Sequence, residues 1–281
     1  MIARPHSSAS TNSVRTRRIA FALSVTAITL LADGCTTLPL GKGWGANATI
    51  RPGWERVRQS AVDAAKDPWV WAPAAGALAF QINSFDRKTS DWARENTPIY
   101  GSIENAERWS DNLRATCGFI MAGTLIATPS GADTSDWLEN KLRGGMVELA
   151  AIGATSLTTT VLKKTTGRTR PNGANDESFL SGHTSSAAVS CQLAKTNLDS
   201  IDIKNGARLA TDIGLDATVI GTAWARVEAG AHFPSDVLAG MALGNFFSRF
   251  VMGAFFDPNA QQSIVFSPVN GGAMVSWDFR F

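Results

Sequence analysis

Between Lys163 and Asp236 the chain gathers three cations, two histidines and a carboxylate, a set that can hold a tetrahedral dianion and move protons around it. Only three histidines occur in the sequence, and His6 lies in the N-terminal leader described below. His183 sits in Ser-Gly-His-Thr-Ser-Ser, small residues that let backbone N–H groups approach a ligand. His232 is followed four residues on by Asp236, and Pro234 between them suits the first turn of a helix. One turn of helix brings the carboxylate close enough to accept a hydrogen bond from one ring nitrogen, which leaves the other nitrogen for a substrate. A histidine held this way can act as nucleophile or base. Arg170 and Arg226 supply guanidinium forks for phosphate oxygens and Lys163 a compact charge. Pro171 biases Arg170 toward extended backbone and stiffens the loop that presents it.

In order, these residues read Lys163-x6-Arg170-Pro171, Ser181-Gly182-His183 and Arg226-x5-His232-x3-Asp236. The pattern resembles the signature of the type 2 phosphatidic acid phosphatase family, whose site is shared with bacterial class A acid phosphatases and vanadium haloperoxidases. The resemblance covers roughly residues 140 to 250. It implies that Lys163, Arg170 and Arg226 hold the phosphate, with added donors from the backbone N–H groups of Ser181 and Gly182. It implies that His232 attacks phosphorus to give a phosphohistidine, with Asp236 orienting the imidazole. His183 would then protonate the leaving oxygen and afterwards deprotonate the hydrolytic water. No metal and no cofactor is implied. Two positions depart from the pattern: Leu180 stands where the family usually has Pro, and Ala225 where it usually has Ser. Neither change removes a charged or titrating group, so the expected effect is on rate.

Each motif also has a plain structural reading. His-x3-Asp at a helix start serves as a cap or a surface pair, and Lys163, Lys164, Arg168 and Arg170 read as a solvated basic turn. The placing of both remaining histidines in the two motif slots favours chemistry. The expected activity is hydrolysis of a phosphomonoester or pyrophosphate by a phosphoric ester hydrolase. Lipid phosphates such as phosphatidic acid, phosphatidylglycerol phosphate or a polyprenyl pyrophosphate suit it, as do small phosphate esters. Two alternatives stand beside it: a vanadium-dependent haloperoxidase, and a non-enzymatic outer-membrane lipoprotein with a relic site.

The leader sets the compartment. Arg15, Arg17 and Arg18 precede an apolar run from Ile19 to Ala32, the layout of a secretory signal too short to span a bilayer comfortably. Gly34-Cys35 suits lipoprotein processing, with Cys35 as the lipidated residue. Thr36 is not acidic, which favours the outer membrane. The expectation is therefore an exported protein on the periplasmic side, held to a membrane surface by its lipid. Removal of the leader takes away four Arg and one Asp, so the remainder is near neutral and no nucleic-acid partner is expected. In that compartment Cys117 and Cys191 read equally as a disulfide or as two buried thiols.

Four segments are expected: the leader over 1–35, a linker over 36–56 rich in Gly, Thr and Pro, a helical domain over 57–257, and a β-hairpin over 258–281. The fold class is all-α, a single bundle, with helices expected at 57–66, 72–84, 102–127, 135–164, 184–197, 206–229 and 234–255. None of these runs reaches ~18 unbroken apolar residues, which argues against a six-span membrane enzyme. Val269-Asn270-Gly271-Gly272 joins two strand-like runs near the C-terminus. Trp69, Trp71, Trp92 and Trp109 read as bilayer anchors or as partly buried core.

Overall fold

The computed structural model describes residues 43–256 and the backbone of 263–269 and 272–278. The signal segment and Cys35 lie outside the described residues. Eight α-helices follow: α1 (Trp54–Lys66), α2 (Pro68–Ala79), α3 (Phe85–Asn96), α4 (Ile103–Ala127), α5 (Thr134–Thr166), α6 (Gly182–Leu198), α7 (Asn205–Glu228) and α8 (Pro234–Phe255). A short 3-10 turn, Ile82–Ser84, leads into α3. Strands β1 (Ser263–Val269) and β2 (Gly272–Asp278) pair antiparallel, with Ser263 opposite Asp278. How that pair packs on the helices lies outside the described residues.

Local chemistry sets several helix starts. Asp67 accepts from Trp69 N at 2.9 Å with Pro68 as the first helical residue of α2, and Ser102 accepts from Asn105 N at 3.1 Å at the head of α4. A cap of this kind stabilises its helix by about 1 kcal/mol. The expected segments at 102–127, 135–164, 184–197, 206–229 and 234–255 are met within two residues. The segment expected at 72–84 runs instead from 68 to 79, because Asp67-Pro68 starts it early. Helix α3 was not expected. Its buried face is Asp86, Ser90 and Ala93, which has no large apolar residue to register as a period.

Helix α6 runs through the middle of the bundle and packs on α4, α5, α7 and α8. Its crossing with α8 is close: a Cβ at Gly244 would lie 2.4 Å from the Ser185 carbonyl oxygen, and one at Gly240 2.7 Å from that of Ser181. This approach seats the start of α6 on the start of α8. A second clamp sits at the end of α7, where buried Glu228 accepts from Ile99 N (2.9 Å), Tyr100 N (3.0 Å) and Trp224 Nε1 (2.5 Å). Tyr100 Oη donates to the Gly221 carbonyl at 2.9 Å. Together these bonds fix the entry to α4, the helix that overhangs the site. Cys117 on α4 and Cys191 on α6 are free buried thiols in contact with each other.

Part of the expected linker is docked. Trp44 is buried, its N–H donates to the Pro129 carbonyl at 2.7 Å, and its ring fills the space that a Cβ on Gly144 would need. Ala48 bridges to Phe256. The reading of this stretch as a free tether missed that Trp44 and Ala48 carry enough apolar surface to pack.

Two helices, α5 and α8, are long and apolar enough to cross a membrane by length and composition. The test for unbroken runs missed both because it rejects any helix with a single internal charge or scattered hydroxyls. They differ in setting: 56% of the apolar window of α8 is buried in the bundle, against 28% for α5. On α5, exposed Leu138, Leu142, Met146, Leu149, Leu157 and Val161 recur at helical spacing and so share one side. Trp69, Trp71, Trp92 and Trp109 are all at least 40% exposed, which places none of them in the core.

Candidate active site

The third motif owes its spacing to the way α7 ends. Gly230, at φ +65°, donates to the Val227 carbonyl at 2.9 Å, and Ala231 donates back to the Arg226 carbonyl at 3.1 Å. This Schellman closure reverses the chain in five residues and returns His232 over Arg226, to whose carbonyl its own N–H donates at 3.3 Å. Pro234 then opens α8, and Asp236 accepts from Phe233 N at 2.9 Å as a cap.

His232 is 1% exposed. Its Nδ1 donates to the Ser178 carbonyl at 2.7 Å, while Asp236 Oδ2 is 3.9 Å from that nitrogen. The expected direct His–Asp hydrogen bond is therefore replaced by a carbonyl. Asp236 acts one bond further out: its Oδ2 accepts from Ser178 Oγ at 2.5 Å and its Oδ1 from Arg168 Nη1 at 2.6 Å. The carbonyl can accept only from a protonated Nδ1, so it selects the tautomer that leaves Nε2 with a lone pair. Among the described residues Nε2 makes no hydrogen bond.

Lys163, Arg170 and Arg226 surround this imidazole closely enough to act on it electrostatically. Lys163 Nζ donates to the Glu177 carbonyl at 2.6 Å, which leaves two of its three donors. Arg226 is buried on α7, where Nη1 donates to Ser110 Oγ at 3.2 Å. The Nε atoms of Arg170 and Arg226 are both buried with no acceptor. A buried donor left unpaired costs about 1–3 kcal/mol, more where charged, and these two guanidinium groups lie close enough to act on each other and on His232, so the pair marks a place for an anion. The loop carrying Arg170 is braced by Arg170 N to Asn175 O (2.9 Å), Asn172 N to Gly230 O (3.0 Å) and Ser178 N to Arg168 O (2.8 Å).

Ser181 caps α6, accepting from Thr184 N at 3.4 Å. Its own N–H donates to the Asp236 carbonyl at 3.0 Å, so the expected role of that N–H as a phosphate donor is not available. Gly182 and His183 open the helix, and their N–H groups have no acceptor within it. A helix start so placed favours an anion. Leu180 and Ala225, the two departures, are both buried and leave the loop and α7 intact.

His183 Nε2 lies 2.8 Å from Asp111 Oδ1 on α4. Burial and the Arg226 charge lower the His183 pKa below the usual imidazole value, and Asp111 opposes that shift. Burial first, then the charges of Arg226, Lys163 and Arg170, hold His232 well below that value, so it is neutral at ordinary pH. Burial likewise lowers Lys163 and Arg226 and raises the Asp236 carboxyl. An activity that needs neutral His232 and protonated His183 peaks on the acid side. Asp111→Asn removes a charge that raises His183, so the alkaline limb of kcat against pH is expected to move to lower pH. The check is a kcat profile of both proteins from pH 4 to 8.

Sequence reasoning named Lys163, Arg170, Gly182, His183, Arg226, His232 and Asp236, and the structure places all seven near one another. It did not find Ser110, Asp111 or Ser178, and it gave Arg168 no part in the site. Ser110 and Asp111 come from a helix far upstream with no local motif. Among the described residues no three or more His, Cys, Asp or Glu side chains group as a metal site.

The crystal structure of the first transmembrane PAP2-type phosphatidylglycerolphosphate phosphatase from Bacillus subtilis is similar over 73% of this chain and 96% of that one, at 21% identity and a TM-score of 0.49. No curated protein sequence matches the chain. The PAP2 superfamily model matches residues 145–260, a stretch that contains all three motifs. The residues that build this cradle, from Lys163 to Asp236, thus lie inside the stretch that the PAP2 superfamily model matches.

Proposed function

We propose that the protein is a lipid-phosphate phosphatase working through a phosphohistidine on His232, without a metal. The observation that carries the reading is the pair of buried, unpartnered guanidinium Nε atoms of Arg170 and Arg226 beside a neutral imidazole whose Nε2 is free. A phosphoryl group bound there would bridge the two guanidinium groups and Lys163, with Gly182 and His183 N–H supplying further donors. His232 Nε2 attacks phosphorus as the ester oxygen leaves with a proton from His183. Water, deprotonated by His183, then releases phosphate and regenerates His232. Three cations supply the charge stabilisation that a metal gives in other phosphatases.

The substrate class is read from the superfamily and from the α5 face. Leu138 to Val161 spans about 35 Å of helix, close to the ~30 Å of a bilayer core. This face and a lipid on Cys35 would both hold the domain at a membrane, on the exported side. In a Cys35→Ser background, which takes the lipid away, Leu149→Arg with Leu157→Arg is expected to shift the protein from the vesicle pellet to the supernatant in co-sedimentation assays; unchanged partition would remove the α5 face from the reading.

The test is phosphate release by the full-length protein, with EDTA present, from phosphatidic acid, phosphatidylglycerol phosphate, a polyprenyl pyrophosphate and para-nitrophenyl phosphate. Turnover is expected to persist in EDTA and to favour a lipid phosphate. Preference for para-nitrophenyl phosphate would move the assignment to soluble esters. No release from any of them would leave the relic-site reading.

A further inference from the structure

The supports of His232 extend to a helix that the superfamily match does not reach. Asp86, in the first turn of α3, is buried. Its Oδ2 accepts from Arg168 Nη2 at 2.6 Å, from Ser235 Oγ at 2.6 Å and from Gln81 Nε2 at 3.3 Å, and its Oδ1 accepts from Ser235 N at 2.8 Å. Arg168 spends its other nitrogen, Nη1, on Asp236 Oδ1 (2.6 Å) and Ser235 Oγ (2.8 Å), and its guanidinium lies 4.2 Å over the Phe233 ring. Asp236 in turn holds Ser178 Oγ, and the Ser178 carbonyl holds His232 Nδ1. Three consecutive hydrogen-bonded links thus run from α3 to the segment whose carbonyl sets the imidazole.

We propose that Asp86 is a positioning residue for His232, acting through Arg168 and Asp236. This rests on the phosphohistidine reading above. The physical argument is one of freedom removed. Arg168 is a long side chain that lies over one aromatic face and reaches between two carboxylates, and Asp86 alone fixes the far end of its fork. Without that charge the fork can rotate away from Asp236. Asp236 then loses the bond that sets its plane, and Ser178 and the His232 ring lose theirs in sequence. Displacement of a reacting group by about 1 Å costs on the order of 100-fold in rate. Phosphate binding should hardly change, because Lys163, Arg170 and Arg226 are outside this chain of bonds.

The experiment compares full-length wild type, Asp86→Asn, Asp236→Asn and the double variant. It reads kcat, KM, the Ki of inorganic phosphate and melting temperature, with nitrogen-15 spectra of the His232 imidazole. Asp86→Asn is expected to lower kcat about 10- to 100-fold with Ki within about twofold, and the double variant to be no worse than Asp236→Asn alone. The His232 Nδ1–H resonance is expected to shift. A lower melting temperature with kcat per folded site unchanged, or additive losses in the double variant, would overturn the proposal and leave Asp86 a stabilising residue. Should Asp86→Asn not fold, Arg168→Lys keeps the charge, loses the fork and carries the same expectations. If wild type turns over no phosphate, the functional reading fails, and the imidazole resonance decides the positioning role by itself: a shift supports it and none refutes it.

Discussion

His232→Ala should reduce phosphate release by about 10⁴-fold or more, the scale on which enzymes lose rate when the attacking group is removed. The loss should lie in kcat. The cradle of Lys163, Arg170 and Arg226 is untouched by the substitution, and it loses only a neutral neighbour. Inorganic phosphate should therefore bind the variant about as well as it binds wild type. A second readout follows from covalent chemistry: acid-labile phosphate should be trapped on wild type quenched during turnover, and not on the variant. Because His232 is neutral at ordinary pH, the trapped fraction should persist into mildly acidic buffer and fall only well below the usual imidazole pKa. A variant that kept a tenth of wild-type turnover would mean that another group, or water directly, attacks phosphorus.

Arg170→Ala and Arg226→Ala should each cost about 10²- to 10³-fold in kcat/KM, the range for removal of one preorganised donor from a developing oxyanion. The two should not be equivalent. Arg226 is buried on a helix and held by Ser110, so Arg226→Ala leaves a cavity and removes the charge that most lowers both histidines after burial itself. Its pH profile should move to higher pH on both limbs. Arg170 sits on a braced loop, so its loss should raise KM and the Ki of phosphate with a smaller change in profile. Arg226→Lys restores charge without the fork and should recover only part of the loss. Equal and small effects of both substitutions on Ki would show that the anion does not bind between these side chains.

The helices could be read because their signals are local. Pro234 and Ser102 mark starts, and apolar periods mark faces, so five expected segments match to within two residues. The charged motif residues that cluster around His232 could be named for the same reason, being confined to three short stretches. What escaped was set by partners distant in sequence. Asp236 looks like the orienting carboxylate when only the four-residue spacing is considered, yet the Ser178 carbonyl takes that place once the loop is folded back. Asp86 and Asp111 carry no signal, since a carboxylate on a polar helix looks the same whether it faces water or an imidazole. Helix α3 was missed because it buries small and charged side chains. The exposed face of α5 was discounted by a test that counts uninterrupted apolar residues, while the helix spreads them along one side.

The docking of Trp44 would limit how far the protein could reach from a lipid on Cys35. From Cys35 to Trp44 is nine residues, which fully extended cover about 30 Å. A lipid on Cys35 would therefore act as a short leash, keeping the domain within its own diameter of the leaflet that holds it. An enzyme leashed so closely would sample substrate in two dimensions, and its turnover should follow the surface density of phosphorylated lipid in that leaflet rather than its bulk concentration. Lengthening the segment ahead of Trp44 with a flexible insert would change which membrane the site can service while leaving its chemistry as it is.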